Sequence, residues 1–339
     1  MGPVSSGLSR RDFVVLFSRG AGGLAVLGAA AACGGGGGGG GGGNGSFQGE
    51  SPVSHLDAVL AAAPFHVAAG LGYYKEAQLE LELVSYSGGS ETIRAIAQDT
   101  FGMPATLPGL IAFQKGQQNL RIISGGFNRT LVRFLVPANS SIRDPEDLRN
   151  KKIAVSQPDS ITTYQATTIT RKLGLTPGKN VQILHVGGPP DAWTAAKQGV
   201  VDVAWSVPPL ADELVESGEA RLLFSGREYF PNFADNTYWT TDSVIEDSPD
   251  ALRRWLRAQR RAMDTIKNDV EAAAAVYAKR VGITEDLARK ALRAEADGFT
   301  LEIEPAAIEE NVRAGVELGQ LDAKKLDLNS VIVKDFVSG

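Results

Sequence analysis

The chain of 339 residues carries a single cysteine, Cys33, and three histidines, His55, His66 and His185. One thiol closes no disulfide, and the absence of cysteine after residue 33 excludes a thiolate-held structural zinc from the folded part. The histidines are too scattered to suggest a metal triad, so no metal and no cofactor is expected. Positive charge is also short: 34 Lys and Arg stand against 39 Asp and Glu, a net charge of −5. Nucleic acid needs basic faces that neutralise phosphate, and this balance argues against such a partner. No Gly-x-Ser-x-Gly, Walker or zinc-binding helix motif occurs. Long apolar runs are missing too. The uncharged stretch Gly20–Ala32 spans roughly 20 Å as a helix, short of the ~30 Å hydrocarbon core.

What is plentiful is glycine, and ten of the 39 follow Cys33 directly. Ahead of them, Ser9-Arg10-Arg11-Asp12-Phe13 resembles a twin-arginine export signal. Ala30-Ala31-Ala32-Cys33 resembles a bacterial lipobox, with Ala30 where leucine is usual. Residues 1–33 are therefore read as an export signal, with Cys33 lipidated and anchoring the protein to a membrane outside the cytoplasm. The alternative is cleavage by a soluble peptidase near the alanines, with Cys33 incidental. Residues 34–50 then form a leash with a reach of roughly 20–25 Å, and the fold is expected to begin near Ser51. The leader takes three arginines and one aspartate with it, leaving a net charge of −7 on the remainder.

From there one unit recurs: a short apolar strand, a loop of small or hydroxyl residues, then an amphipathic helix. Expected strands are 55–60, 79–84, 101–103, 120–124 and 131–137, with a helix from Ala62 to about Ala77. A second set follows, with strands at 152–155, 181–186, 201–205 and 221–224. Beyond Ser248 the spacing of Leu252, Trp255, Leu256, Met263 and Ile266 is helical. Alternating βα units predict an α/β fold with mostly parallel sheets flanked by helices. About 290 residues suffice for two lobes. Lobe 1 is assigned 51–137 and 240–339, with the C-terminal helices packed on it. Lobe 2 is assigned 138–239, and hinges are placed near 136–142 and 225–240.

Five segments, in order, resemble the substrate-binding proteins of ABC importers in the nitrate/sulfonate/taurine and thiamine-precursor group. They are Gly72-Tyr73-Tyr74; Ser87-Gly88-Gly89-Ser90; Lys115-Gly116; Asp144-Pro145-Glu146-Asp147-Leu148 with Lys151-Lys152-Ile153; and Ala196, Gly199, Val200 and Asp202. The resemblance covers most of 57–270. Ala97-Gln98-Asp99-Thr100 departs from it, where the group often has Ser-Gly-Gln-Val-Asp. It implies a two-lobe periplasmic-binding-protein fold of type II and capture of a small organic solute between the lobes. It also implies delivery to an ABC permease and ATPase complex. Enzymes share the fold, among them pyrimidine-precursor synthases with a cysteine-rich iron motif and porphyrin-forming deaminases with a cysteine-held cofactor. Neither chemistry is supported without a cysteine after Cys33, so binding without turnover is preferred. A ligand sensor for a signalling partner is the remaining alternative.

In open α/β sheets a ligand sits beyond the carboxyl ends of the strands, where helix N-termini offer unpaired N–H groups and partial positive charge. The candidate loops are Ser87-Gly88-Gly89-Ser90, Ala105-Thr106, Asp159-Ser160 with Thr162-Thr163, and Gly187. Asn128 is a further candidate contact. Ordinary N-capping explains the same hydroxyl residues equally well one at a time. Phe65, Phe127, Tyr164 and Trp205 are candidate stacking surfaces for a planar solute, with a place in the core as the alternative for each and the favoured one for Phe127. Asp159 and Asp191 are either N-caps or, facing the cleft, acceptors for an amine or ring N–H, and Arg129 and Arg133 either pair with a carboxylate or sulfonate or sit on the surface. The solute class stays open between sulfonate, carboxylate and heteroaromatic.

Overall fold

The computed structural model describes residues 46–158 and 160–336. The segment read as an export signal, Cys33, the glycine tract and Asp159 lie outside the described residues. In the first stretch the order is β1 (Phe47–Ser54), α1 (Ala63–Gly70), α2 (Tyr73–Glu76), β2 (Leu79–Tyr86), α3 (Gly89–Ile96), α4 (Thr106–Gln114) and β3 (Leu120–Phe127). Then come β4 (Arg133–Pro137), β5 (Lys152–Val155), α5 (Ile161–Lys172), β6 (Gln182–His185), α6 (Pro189–Lys197), β7 (Ala204–Ser206), α7 (Leu210–Glu216) and β8 (Ala220–Ser225). The chain returns through α8 (Gly226–Tyr229) and β9 (Asn236–Thr241), and continues as α9 (Asp242–Asp247) and α10 (Pro249–Asn268). It ends with α11 (Val270–Val281), α12 (Glu285–Glu295), α13 (Pro305–Glu317) and α14 (Leu328–Val331).

The βα units supply the parallel pairs, β1 with β2 and β5 with β6, extended by parallel bridges from Val53 to Met103 and from Ile153 to Val203. The antiparallel pairs belong to the strands where the chain changes sides. β4 pairs with β7 and β8, and β9 pairs with β3. A strand re-entering from the opposite direction has no helical crossover to turn it round, so it joins antiparallel. These pairings correct the expected boundaries at 137 and 239, which fall at the end of β4 and inside β9. Strand pairing groups residues 133–137 with the second set of strands and 236–241 with the first.

Three further expectations change. The first strand is Phe47–Ser54 and not 55–60, so the fold starts inside the segment read as leash. Its first half alternates half-buried and exposed while Ser51–Ser54 is wholly buried, so no single periodicity marks it. The expected helix 62–77 is split at Gly72, whose φ of +79° ends α1 and starts α2. The segment 101–103 forms isolated bridges only.

Apolar burial explains how the C-terminal helices attach. Trp255 of α10 is fully buried, with ring centroids 4.7 Å from Phe101, 5.0 Å from Tyr238 and 6.1 Å from Phe65. One aromatic nucleus thus ties α1, β9 and α10 together. Among the described residues no helix is long and apolar enough to cross a membrane.

Candidate functional site

Where β1, β2, β5, β6 and β7 end, the loops that follow surround one cavity of about 580 Å³. Four helices begin at its wall. Gly88, Gly89 and Ser90 open α3, Ala105 caps α4, and Ser160, Ile161 and Thr162 open α5. Gly187 and Gly188 lead into α6. Glycine is required at two of these points. A Cβ on Gly89 would lie 2.8 Å from Pro108 and 3.0 Å from the Ala105 Cβ, too close for the two helices to share the wall. Gly187 has φ +99°, and a Cβ there would sit 2.9 Å from Asp191 Oδ2.

On the second-set side a hydroxyl net shapes the rim. Thr162 Oγ1 accepts from the Ser156 N–H at 2.9 Å and lies 2.8 Å from Ser160 Oγ. Ser160 Oγ in turn donates to the Gln157 carbonyl at 2.7 Å and caps the Thr163 N–H. Trp205, 5% exposed, spends its indole N–H on the Gly187 carbonyl at 3.0 Å, so it brings an apolar ring to the cavity wall. Val59, Leu131, Val132, Ile161 and Val207 complete the apolar lining.

Of the expected contacts, Ser87, Gly88, Gly89, Ser90, Ala105, Ser160, Thr162, Gly187 and Trp205 all line this cavity. Others do not. Phe65 is fully buried in the aromatic nucleus against Tyr238 and Trp255. Thr106 is buried and faces Thr237, with 3.1 Å between the hydroxyls. Asn128 donates to the Glu302 carbonyl at 3.2 Å, and Thr163 donates its hydroxyl to the Gln157 carbonyl at 2.5 Å. Both therefore serve the backbone, as caps and loop ties do. Asp159 lies outside the described residues. Phe127 stacks edge-on with Phe299 at 5.0 Å, and the Tyr164 hydroxyl donates to Glu310 at 2.9 Å. Arg133 is taken by Asp212 and Glu295, and Arg129 reaches Asp297 at 4.0 Å.

Among the described residues, the charged or titratable groups at the cavity are His55, Glu91, Arg94, Asp191 and Asp235. Asp191 was expected there; the other four were not. Burial lowers the His55 pKa, with Glu91 opposing. The Ser87 hydroxyl, 2.5 Å from the Glu91 carboxylate, is the main cause of that group's lowered pKa. Desolvation raises Asp235 to about 7, although the Leu131 N–H pulls the other way. Only tertiary contact reveals these residues: Asp235 sits in a stretch read as a hinge, and Arg94 looks like the outer face of an amphipathic helix. Among the described residues no group of three His, Asp or Glu is placed to hold a metal.

A family model described as NMT1/THI5 like matches residues 60–273, more than half of the chain and all but the rims of the cavity-bearing region. The chain belongs to the NMT1/THI5-like family. Solved structures with the same fold include the alkanesulfonate-binding protein SsuA of Xanthomonas axonopodis pv. citri bound to MOPS. It shows TM-score 0.72 and 18% identity, over 86% of this chain and 100% of that one. The periplasmic aliphatic sulphonate binding protein SsuA of Escherichia coli gives 0.70 and 18%, over 85% and 92%. A mutant of the enzyme DszB in complex with biphenyl-2-sulfinic acid gives 0.67 and 15%, over 85% and 97%. At these identities the likeness establishes the periplasmic-binding-protein fold for this family member. No curated protein sequence matches the chain.

Proposed function

We propose that the protein is the substrate-binding component of an ABC importer, which captures a small organic solute in the cavity and passes it to a membrane permease. The observation that carries this reading is the convergence of four helix starts and one indole ring on a single cavity. The volume suits a solute of about ten to twenty non-hydrogen atoms, within the range of ordinary ligand pockets. Residues 46–127 with 236–336 act as one lobe and 133–225 as the other, joined by the segments 128–132 and 226–235. A solute touching both Gly89–Ser90 and Ser160–Thr162 gains contacts only when the lobes close, so it shifts the population toward the closed form. Cys33 holds the protein at the membrane by a lipid, and the glycine tract gives it reach.

A thermal-shift screen across sulfonates, carboxylates and aminopyrimidines, paired with native mass spectrometry of gently purified protein, tests the reading. The expected result is a co-purified or stabilising small molecule that is recovered chemically unchanged. Trp205→Ala is expected to weaken its binding at least tenfold; unchanged affinity removes the indole from the site. The DszB likeness raises turnover as a second reading, and a solute returned with a broken carbon–sulfur bond would establish it.

A further inference from the structure

Three of the four helix starts around the cavity, those of α3, α5 and α6, already carry an acceptor or a carboxylate of the chain itself. Asp191 Oδ2 accepts from the Gly188 N–H at 3.2 Å, and the Ser160 hydroxyl caps α5. Glu91 sits in the first turn of α3, held by Ser87. A carboxylate in the first turn offsets the partial positive charge that would otherwise attract an anion. Among the described residues, three carboxylates, Glu91, Asp191 and Asp235, then share the cavity with one guanidinium, Arg94, and with His55, whose pKa burial lowers.

Asp235 differs from the other two. It closes the segment joining β8 to β9, and its backbone is fixed on both sides. Its N–H donates to the Phe127 carbonyl at 2.9 Å, and its carbonyl accepts from the Thr106 N–H at 3.0 Å. The Leu131 N–H, from the other joining segment, favours the charged form of its carboxylate. It is therefore a rigid acceptor where the two crossings meet, beside the apolar Leu131 and Val132 and in the same cavity as Trp205.

Resting on the solute-binding reading above, we infer that Asp235 is a specificity-determining residue whose carboxylate accepts from a cationic or N–H-donor head of the solute, selecting flat amines and amidines over plain anions. Trp205 supplies the apolar surface for the body of such a solute, since a desolvated carboxylate and an aromatic wall both favour a planar cation. A buried charge-assisted hydrogen bond of this kind is worth roughly ten- to a hundredfold in affinity. Because Asp235 holds its proton up to about pH 7, cation binding strengthens as the pH rises from 6 to 8. His55, Glu91, Arg94 and Asp191 share the cavity with it, burial lowering the His55 pKa and the Ser87 hydroxyl lowering that of Glu91.

Calorimetry with benzamidine, benzoate and benzenesulfonate on the full exported chain tests this without any variant. Benzamidine is expected to bind at least tenfold more tightly than either anion, and more tightly at pH 8 than at pH 6. Asp235→Asn is expected to lose that preference and its pH dependence while still melting cooperatively. Anions binding as well as benzamidine, or benzamidine not binding, overturns the inference. The importer reading is judged separately, by the wider solute screen, so anion binding alone would leave it standing. Should Asp235→Asn fail to fold, the wild-type selectivity and its pH slope still decide the question.

Discussion

Gly187 carries two constraints at once, a left-handed φ and a neighbour where its Cβ would go. Gly187→Ala is expected to cost about 1–3 kcal/mol of stability, read as a lowered urea midpoint at unchanged slope. The same reasoning separates residues that hold the cavity from residues that face it. Ser160 and Thr162 do both: Ser160 caps α5, Thr162 accepts from the Ser156 N–H, and both line the wall. Thr163 and Asn128 only tie backbone. The residue types are alike in sequence, and which hydroxyl faces inward depends on the helix's rotation about its axis. That rotation is settled by what packs beneath.

Among the elements, β9 shows most clearly where pattern reading fails. Asn-Thr-Tyr-Trp-Thr-Thr is buried at every position, so no polar face alternates with an apolar one, and it reads as a polar connection. Its hydroxyls are satisfied internally: Thr240 donates to the Thr100 carbonyl at 3.1 Å, and Thr241 to Asp99 at 2.8 Å. Helix α10 is the opposite case, legible from the spacing of Leu252, Trp255, Leu256, Met263 and Ile266, all buried as that spacing requires. Its attachment rests on Trp255. Trp255→Ala is expected to destabilise by about 3–5 kcal/mol, because the rings of Phe65, Phe101 and Tyr238 cannot collapse into the gap. Equilibrium urea unfolding measures it; a loss under 1 kcal/mol would mean that α10 is held elsewhere.

For the whole molecule, two desolvated groups oppose each other in pH. His66 is 1% exposed, its Nε2 lies 2.9 Å from the Leu56 carbonyl, and burial lowers its pKa from 6.5. Below pH 6.5 the unfolded chain binds a proton that the folded chain refuses, so stability falls as the pH drops. Asp235 acts the other way. Its folded pKa of about 7 lies above the ordinary 3.8, so its stabilising contribution is complete below about pH 4 and is lost as the pH rises to 7. The two contributions therefore oppose each other as the pH rises toward 6.5. In Asp235→Asn the opposing contribution is gone, so the urea midpoint is expected to rise more with pH, up to about 6.5, than in the wild type. Equal slopes for the two proteins would contradict this. The salt link of Glu295 with Arg133 and Arg227 belongs to the same scale, since it joins α12 to the second strand group and its connection.

The sequence by itself determined the alternating α/β class, the family and the loops at the ends of the parallel strands. These follow from local periodicity and from small residues where backbone must come close, properties written within ten or fifteen consecutive positions. Only the tertiary structure decided that β4 and β9 change sides, that Phe65 is core, and that His55, Arg94 and Asp235 reach the cavity. Each depends on what a distant segment places opposite: Trp255 against Phe65, Phe127 and Leu131 against Asp235. Burial and desolvation are pairwise properties of segments far apart in the chain, and no stretch read alone contains its partner.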